Sequence, residues 1–241
     1  MTSRASSDRR FFSVMAVVIA VSVFLGFAPT YFLKSIYRTP VISPFVHLHG
    51  ALFTSWILLF LTQTLLISAR RRELHKRLGW VTSGVAVAMI AVGFKVAYSF
   101  AKKAPVPGLP ALPVDFVGVP LGGLFSFTVL VGLGIIKRNK PDTHKRLVLL
   151  GTFAMMGAAT DRMLLPIGVL AFTGLPLHPF TMVAILALYV LPCFVYDRIT
   201  RGRVHPAFFW GGIFLIVWAF LTHAIIPNTA WWRAFSEWVI S

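Results

Sequence analysis

The stretch Gly50-Ala51-Leu52-Phe53-Thr54-Ser55-Trp56-Ile57-Leu58-Leu59-Phe60-Leu61-Thr62-Gln63-Thr64-Leu65-Leu66-Ile67-Ser68-Ala69-Arg70-Arg71-Arg72 decides the fold. It runs without a charge as far as Ala69 and then meets three arginines in a row. A helix of about 20 mostly apolar residues is what it takes to cross the hydrocarbon core of a bilayer. Arginines stacked at one end of such a helix mark its cytoplasmic side. The same grammar repeats in both directions. Apolar segments cover roughly 11–33, 42–68, 79–100, 115–136, 147–172, 179–197 and 207–226. The fold they predict is all-α, a polytopic integral membrane bundle of about seven transmembrane helices forming a single membrane domain over 1–241.

The punctuation between segments agrees. Thr39-Pro40, Pro105 to Pro113, Lys140-Pro141, Gly174 to Pro179 and Pro227-Asn228 all break helices. The tail over 229–241, with Trp231, Trp232, Arg233 and Trp238, reads as an amphipathic helix lying at the membrane interface. The first segment follows Arg9 and Arg10 as a signal peptide would. Its apolar run is long for that purpose and no small-x-small cleavage site follows, so it reads as a retained span.

Composition excludes the main rivals. The 241 residues carry a net charge of +16, yet 57% are hydrophobic, 12% are charged, and mean hydropathy is +0.80. A soluble domain has about 25% charged residues. A nucleic-acid binder needs a polar protein behind its basic footprint, so a polyanionic partner is not expected. The lone Cys193 excludes an intrachain disulfide and thiolate metal clusters supplied by this chain alone.

The basic residues sort by loop instead. With the amino terminus inside, one side holds Arg4, Arg9, Arg10, then Arg70, Arg71, Arg72, Lys76, Arg77, then Lys137, Arg138, Lys140, Lys145, Arg146, then Arg198, Arg201 and Arg203. The other side holds Lys34, Arg38, Lys102, Lys103 and Arg233. This asymmetry predicts amino terminus in and carboxyl terminus out, in a bacterial-type cytoplasmic (inner) membrane, with the lipid bilayer as the principal partner. Only Lys95 and Arg162 fall within spans, and Lys95 is close enough to an end to snorkel.

Depth then selects the candidate site. The outer half collects His47, His49, Asp115, His178 and His223, and a continuous fifth span puts Asp161 and Arg162 there too. Charges inside a span are costly and mark substrate, proton or ion paths. Adjacent helix positions diverge, so Asp161 and Arg162 address separate partners. His47 and His49 likewise point apart. His49, Trp56 and Gln63 recur every seven residues and form one stripe toward the protein interior. A spacing of 18 residues puts His205 and His223 on one face of the last span, and His144 and Arg162 on one face of the fifth. On the inner side, His75, His144 and His205 are the candidates. Leu74-His75-Lys76-Arg77-Leu78 and Thr143-His144-Lys145-Arg146-Leu147 echo one another at an offset of 69. A His-Lys-Arg cluster at that level suits either haem or proton traffic, or lipid phosphate, and the lipid alternative is the stronger.

The pattern Val46-His47-Leu48-His49-Gly50 to Trp56, Gln63, Arg71 and Leu74-His75-Lys76-Arg77-Leu78-Gly79, with Lys145-Arg146-Leu147 later, resembles a bacterial family of polytopic membrane proteins and covers about half the chain. That resemblance carries no activity with it. His-Gly at one span start and His-x3-Gly at the next are similar to b561-type cytochromes, and this implies haem on histidines of neighbouring spans. The span count, with His and Asp gathered on one side, is similar to membrane zinc amidases related to alkaline ceramidases, although their His-x3-His on the last helix is missing.

Three functions follow as expectations. The first is a redox-associated membrane protein binding haem b or a transition metal. His49 and His223 are its ligands, His47 and His178 lie close by, Arg162 pairs with propionates, and Asp161 orients a histidine or carries protons, with a quinone as a candidate partner. The second is a metal-dependent hydrolase on a lipid-like substrate, with zinc on His49, His178, His223 and Asp161. The third is an accessory subunit of a larger membrane complex.

Overall fold

A computed structural model describes residues 2–38, 42–101, 117–164 and 179–240. Among them all regular structure is helical. Helix α1 spans Thr2–Phe27 and runs into a wide turn, Ala28–Phe32, in which Leu33 N reaches back five residues to Ala28 O at 2.7 Å. A short α2 follows at Lys34–Tyr37. Helix α3, Pro44–Ser68, opens on a proline whose missing N–H is harmless there, and the Ser43 hydroxyl accepts from Val46 N. Helices α4 (Arg72–Ala101) and α5 (Gly118–Ile136) come next. Then come α6 (Pro141–Phe153) and α7 (Gly157–Leu164). The chain ends with α8 (Pro179–Arg201), α9 (Pro206–Phe220) with a second wide turn at Leu221–Ile225, and α10 (Ala230–Ile240).

Six of these stretches are long and apolar enough to cross a bilayer: Ala5–Phe32, Pro44–Ser68, Arg72–Ser99, Gly118–Ile136, Val183–Arg201 and Pro206–Asn228. The protein is thus a multi-pass helical membrane protein. The remaining apolar segment, 147–172, is not one continuous helix. After α6 the backbone tightens, with Met155 N on Thr152 O at 3.1 Å and Met156 N on Phe153 O at 3.0 Å, before α7 restarts at Gly157. Two expectations fail with that break. Asp161 has no depth set by counting from the start of a regular helix, and His144 and Arg162 do not share a face. The relation between His205 and His223 fails for a similar reason, because His205 precedes the first helical residue of α9 and the wide turn at Leu221–Ile225 interrupts the 3.6-residue period.

Packing divides the chain into two compact units. The first holds Met1–Val92 and Ala158–Gly174. In it α1 lies along α3, with Ser13 Oγ 2.9 Å from Ser68 Oγ. The stripe expected on α3 does turn inward, since Trp56 is 2% exposed and Gln63 is buried. The second unit holds Gly93–Gly157 and Leu175–Ser241. There α5 and α6 pack backbone-close over glycines: a Cβ on Gly151 would lie 2.6 Å from Val131 and one on Gly134 2.8 Å from Val148. Small residues permit this approach in lipid, where dispersion between closely packed helices replaces the hydrophobic effect as the driving force. Trp232 of α10 turns inward onto Ala97 and Val117, while Trp231 and Trp238 stay exposed.

One buried ion pair ties the second unit together. Arg146 of α6 and Asp197 of α8 are both fully inaccessible. The Arg146 guanidinium donates from Nε to Asp197 Oδ2 at 3.0 Å and from Nη2 to Oδ1. Its Nη1 donates to the Asp142 carbonyl at 2.8 Å, and its face covers the Phe208 ring of α9 at 5.0 Å. Asp197 Oδ2 also accepts from His205 N at 2.9 Å, which fixes where α9 begins. Arg201 reaches Asp142 Oδ1 at 2.8 Å. Removing one member of such a pair strands a charge away from water and costs about 3–5 kcal/mol, whereas replacing both with apolar groups costs far less. Asp197→Ala is therefore expected to lower the detergent-solubilised melting temperature sharply, and Arg146→Leu/Asp197→Leu to recover part of the loss. Equal losses in the single and double variants would contradict this account.

Candidate functional site

The first unit gathers Arg162, Asp161 and His49, with Gly26 and Phe27 of α1. Gly26 of α1 meets α7 backbone to backbone, and a Cβ there would lie 2.2 Å from Ala159 O. This contact seats Phe27 against α7, with the Arg162 guanidinium 4.7 Å from its ring centroid. Arg162 Nη1 donates to Ala158 O at 2.7 Å, a bond within its own helix. Its charge acts on both Asp161 and His49. His49 belongs to the second turn of α3, and its ring lies tilted on Phe53 with centroids 4.1 Å apart. His49 Nδ1 and Asp161 Oδ1 are buried without a hydrogen-bond partner among the described residues. Each such orphan costs about 1–3 kcal/mol unless a further group satisfies it.

His47 stands apart from this centre, as its spacing from His49 requires. Its Nε2 lies 3.4 Å from Lys34 Nζ, and its carbonyl accepts from the Tyr31 hydroxyl at 3.3 Å. Tyr31 occupies the space over Gly50, where a Cβ would come within 2.6 Å of the ring.

The remaining candidates are dispersed. His223 lies in the second unit, in the wide turn after α9, with Nδ1 2.7 Å from Ala219 O. His178 and Asp115 lie outside the described residues. Among the described residues, no three His, Cys, Asp or Glu side chains converge to hold a metal ion. The two echoed histidines do matching structural work. With the Gln63 amide turned to suit its neighbours, its nitrogen donates to His75 Nδ1 at 2.6 Å and its oxygen accepts from Gly79 N at 3.0 Å. His144 Nδ1 lies 2.8 Å from Gly134 O. Each ring thus bonds the closing turns of the preceding long helix, α3 or α5. His205 instead caps α9, its Nδ1 accepting from Ala207 N at 3.1 Å.

The pairing of Arg146 with Asp197 went unread in the sequence. Arg146 counts there as one more cytoplasmic cation. Its available signal was Asp197, one of only seven acids, at the very end of an apolar run. The chain matches no family model, no curated protein and no solved structure.

The polar cluster titrates outside the spans. Burial pushes the Asp142 carboxyl up, but hydrogen bonds and charges from Lys145 and Arg201 outweigh it and hold the group well below the usual carboxylate range. Burial, then the charges of Arg146 and Arg201, push His205 below its ordinary value. The unfolded ring titrates near pH 6.5, so below that pH the unfolded chain binds more protons and stability falls until the folded ring also protonates. Melting temperature is expected to drop as pH is lowered from about 7 to about 5. His205→Asn, which keeps a capping oxygen but does not titrate, should flatten that drop. An unchanged slope would dismiss His205 as its source.

Proposed function

We propose that the chain is a redox-associated integral membrane protein that holds haem b at the centre formed by His49, Asp161 and Arg162. We place it in a bacterial-type cytoplasmic membrane with seven spans, amino terminus inside and carboxyl terminus outside. The observation that carries the haem assignment is the pair of orphaned buried atoms, His49 Nδ1 and Asp161 Oδ1, beside one guanidinium. An imidazole that binds iron uses one ring nitrogen while the other is oriented by a carboxylate or a carbonyl. Asp161 would be the carboxylate to accept from His49 Nδ1 once haem is held, a bond not made in this structure, Arg162 would be the counter-ion for a propionate, and Phe27 and Phe53 would be apolar walls. When bound, haem supplies one-electron transfer, and the protein's part is to orient the imidazole and neutralise the carboxylates.

His223 carries the same preparation in its own unit, because Ala219 O lies at its Nδ1 and leaves Nε2 as the ligating atom. Zinc hydrolysis needs three protein ligands around one ion, and that support is missing among the described residues. Haem needs only one or two axial ligands, which favours it over a bare ion.

Protein purified from haem-supplemented cells is expected to show a Soret band that His49→Ala abolishes or shifts, with Arg162→Gln weakening haem retention. A colourless, iron-free protein would sink the assignment. Topology has its own test: reporters fused before Met1 and after Ser241 are expected to report opposite sides of the membrane, the first cytoplasmic.

A further inference from the structure

The second unit carries an open groove of about 530 Å³ between α5, α6 and α9. Its walls are apolar, formed mainly by Leu130 and Leu133 of α5, Leu147 of α6, and Trp210 and Phe214 of α9. Its polar members are Thr143 and His205. Both lie at one end, since Thr143 belongs to the first turn of α6 and His205 caps α9, two starts joined through Asp197 and Arg146. The turn 137–140 joins α5 to α6 just before Thr143, so Lys137, Arg138 and Lys140 lie next to that same end along the chain.

The charge there is unbalanced. Residues 137–146 and 197–203 together carry eight Lys and Arg against two Asp. Both carboxylates are engaged within the cluster, Asp142 by Lys145, Arg146 and Arg201, and Asp197 by Arg146 and Arg201. His205 Nδ1 accepts from Ala207 N, so the hydrogen of the neutral ring sits on Nε2, a donor at the groove. An apolar trough ending in a hydroxyl, an N–H donor and surplus cations is complementary to an anionic amphiphile. A neutral lipid would match the walls and leave the cations unanswered, and a quinone would bring only carbonyl oxygens.

We propose that this groove binds an anionic glycerophospholipid, with one acyl chain along α5 and α9 and the phosphate at Thr143, His205 and the Lys137–Lys140 turn. The site is independent of the haem centre, and failure of either leaves the other standing. Basic pockets between helices on the cytoplasmic side are a recurrent place for anionic headgroups, and one cation near the surface gives about a fivefold preference.

The test is native mass spectrometry of the full chain, equilibrated with an equimolar mixture of dioleoyl phosphatidylglycerol and dioleoyl phosphatidylcholine. At least about fivefold more phosphatidylglycerol adduct is expected on the natural chain. Lys137→Gln/Arg138→Gln/Lys140→Gln should bring the ratio near parity. Arg70→Gln/Arg71→Gln/Arg72→Gln, at an equally basic turn in the first unit, should leave it unchanged. Leu133→Trp, which fills the trough, should reduce the phosphatidylglycerol adduct with helix content intact by circular dichroism. It carries the test should the triple variant fail to fold. Equal retention of the two lipids by the natural chain would overturn the proposal. So would equal loss of preference at the Arg70–Arg72 turn, displacement by glycerol phosphate as effective as by whole lipid, or displacement by an equimolar quinone.

Discussion

A guanidinium and a carboxylate shut away from both water and lipid organise the second unit. Arg146 and Asp197 would each be costly alone at that place, and together they satisfy one another in a two-pronged, charge-assisted contact. Geometry follows from the chemistry. The guanidinium is planar, one nitrogen bonds the Asp142 carbonyl of its own helix, and the other two face Asp197, so the side of α6 that carries Arg146 is held toward α8. Asp197 then spends its second oxygen on the backbone of His205, and the reversal from α8 into α9 is pinned to the same point. The glycine seam between α5 and α6 and the burial of Phe208 under the guanidinium come with that placement. Apolar packing in lipid has little orientational preference of its own, and a buried ion pair supplies it.

Much of this architecture was legible from hydropathy and charge. Long uncharged runs with arginine at alternate ends are direct consequences of bilayer thickness and of the charge asymmetry of its two sides, and six of the runs form helices of the needed length. The inward turn of Trp56 and Gln63, with His49 half-buried above them, was legible because a seven-residue repeat nearly closes on a helical period. The break at 154–156 was not. Its residues, Ala154, Met155 and Met156, are ordinary helix formers, and what accompanies the break is tertiary: Gly123 of α5 comes so close that a Cβ there would lie 3.1 Å from Ala154 O. Arg146 escaped notice for a related reason. Charge counting assigns a basic residue to a side of the membrane and says nothing about whether it points in or out. That depends on which helices are neighbours, and helix order is not written in one chain.

The candidate site shows the same division. Asp161 and Arg162 were conspicuous because charges within spans are rare, and their nearness to His49 rests on the contact of Gly26 with Ala159, which a lone glycine in α1 does not announce. The inner histidines show the reverse case. Their shared His-Lys-Arg surroundings suggested a common chemical task, and the common task is mechanical. His75 through Gln63 and His144 through Gly134 each fasten the start of one helix to the end of the one before. A repeated short motif in a membrane protein can therefore record a repeated joint.

The excursion of the chain has a consequence for biogenesis. The first unit is built from residues 1–92 and from 158–174, with a long stretch of the second unit synthesised between them. His49 leaves the ribosome more than a hundred residues before Arg162, and Gly26 must keep its flank open for a partner not yet made. The centre is therefore a late product of synthesis, completed only after α5 and α6 have been made. Until then the membrane holds α1 and α3 with an unfilled seat. A chain arrested after α6 would be inserted and helical, yet would lack the charge around which its site is arranged.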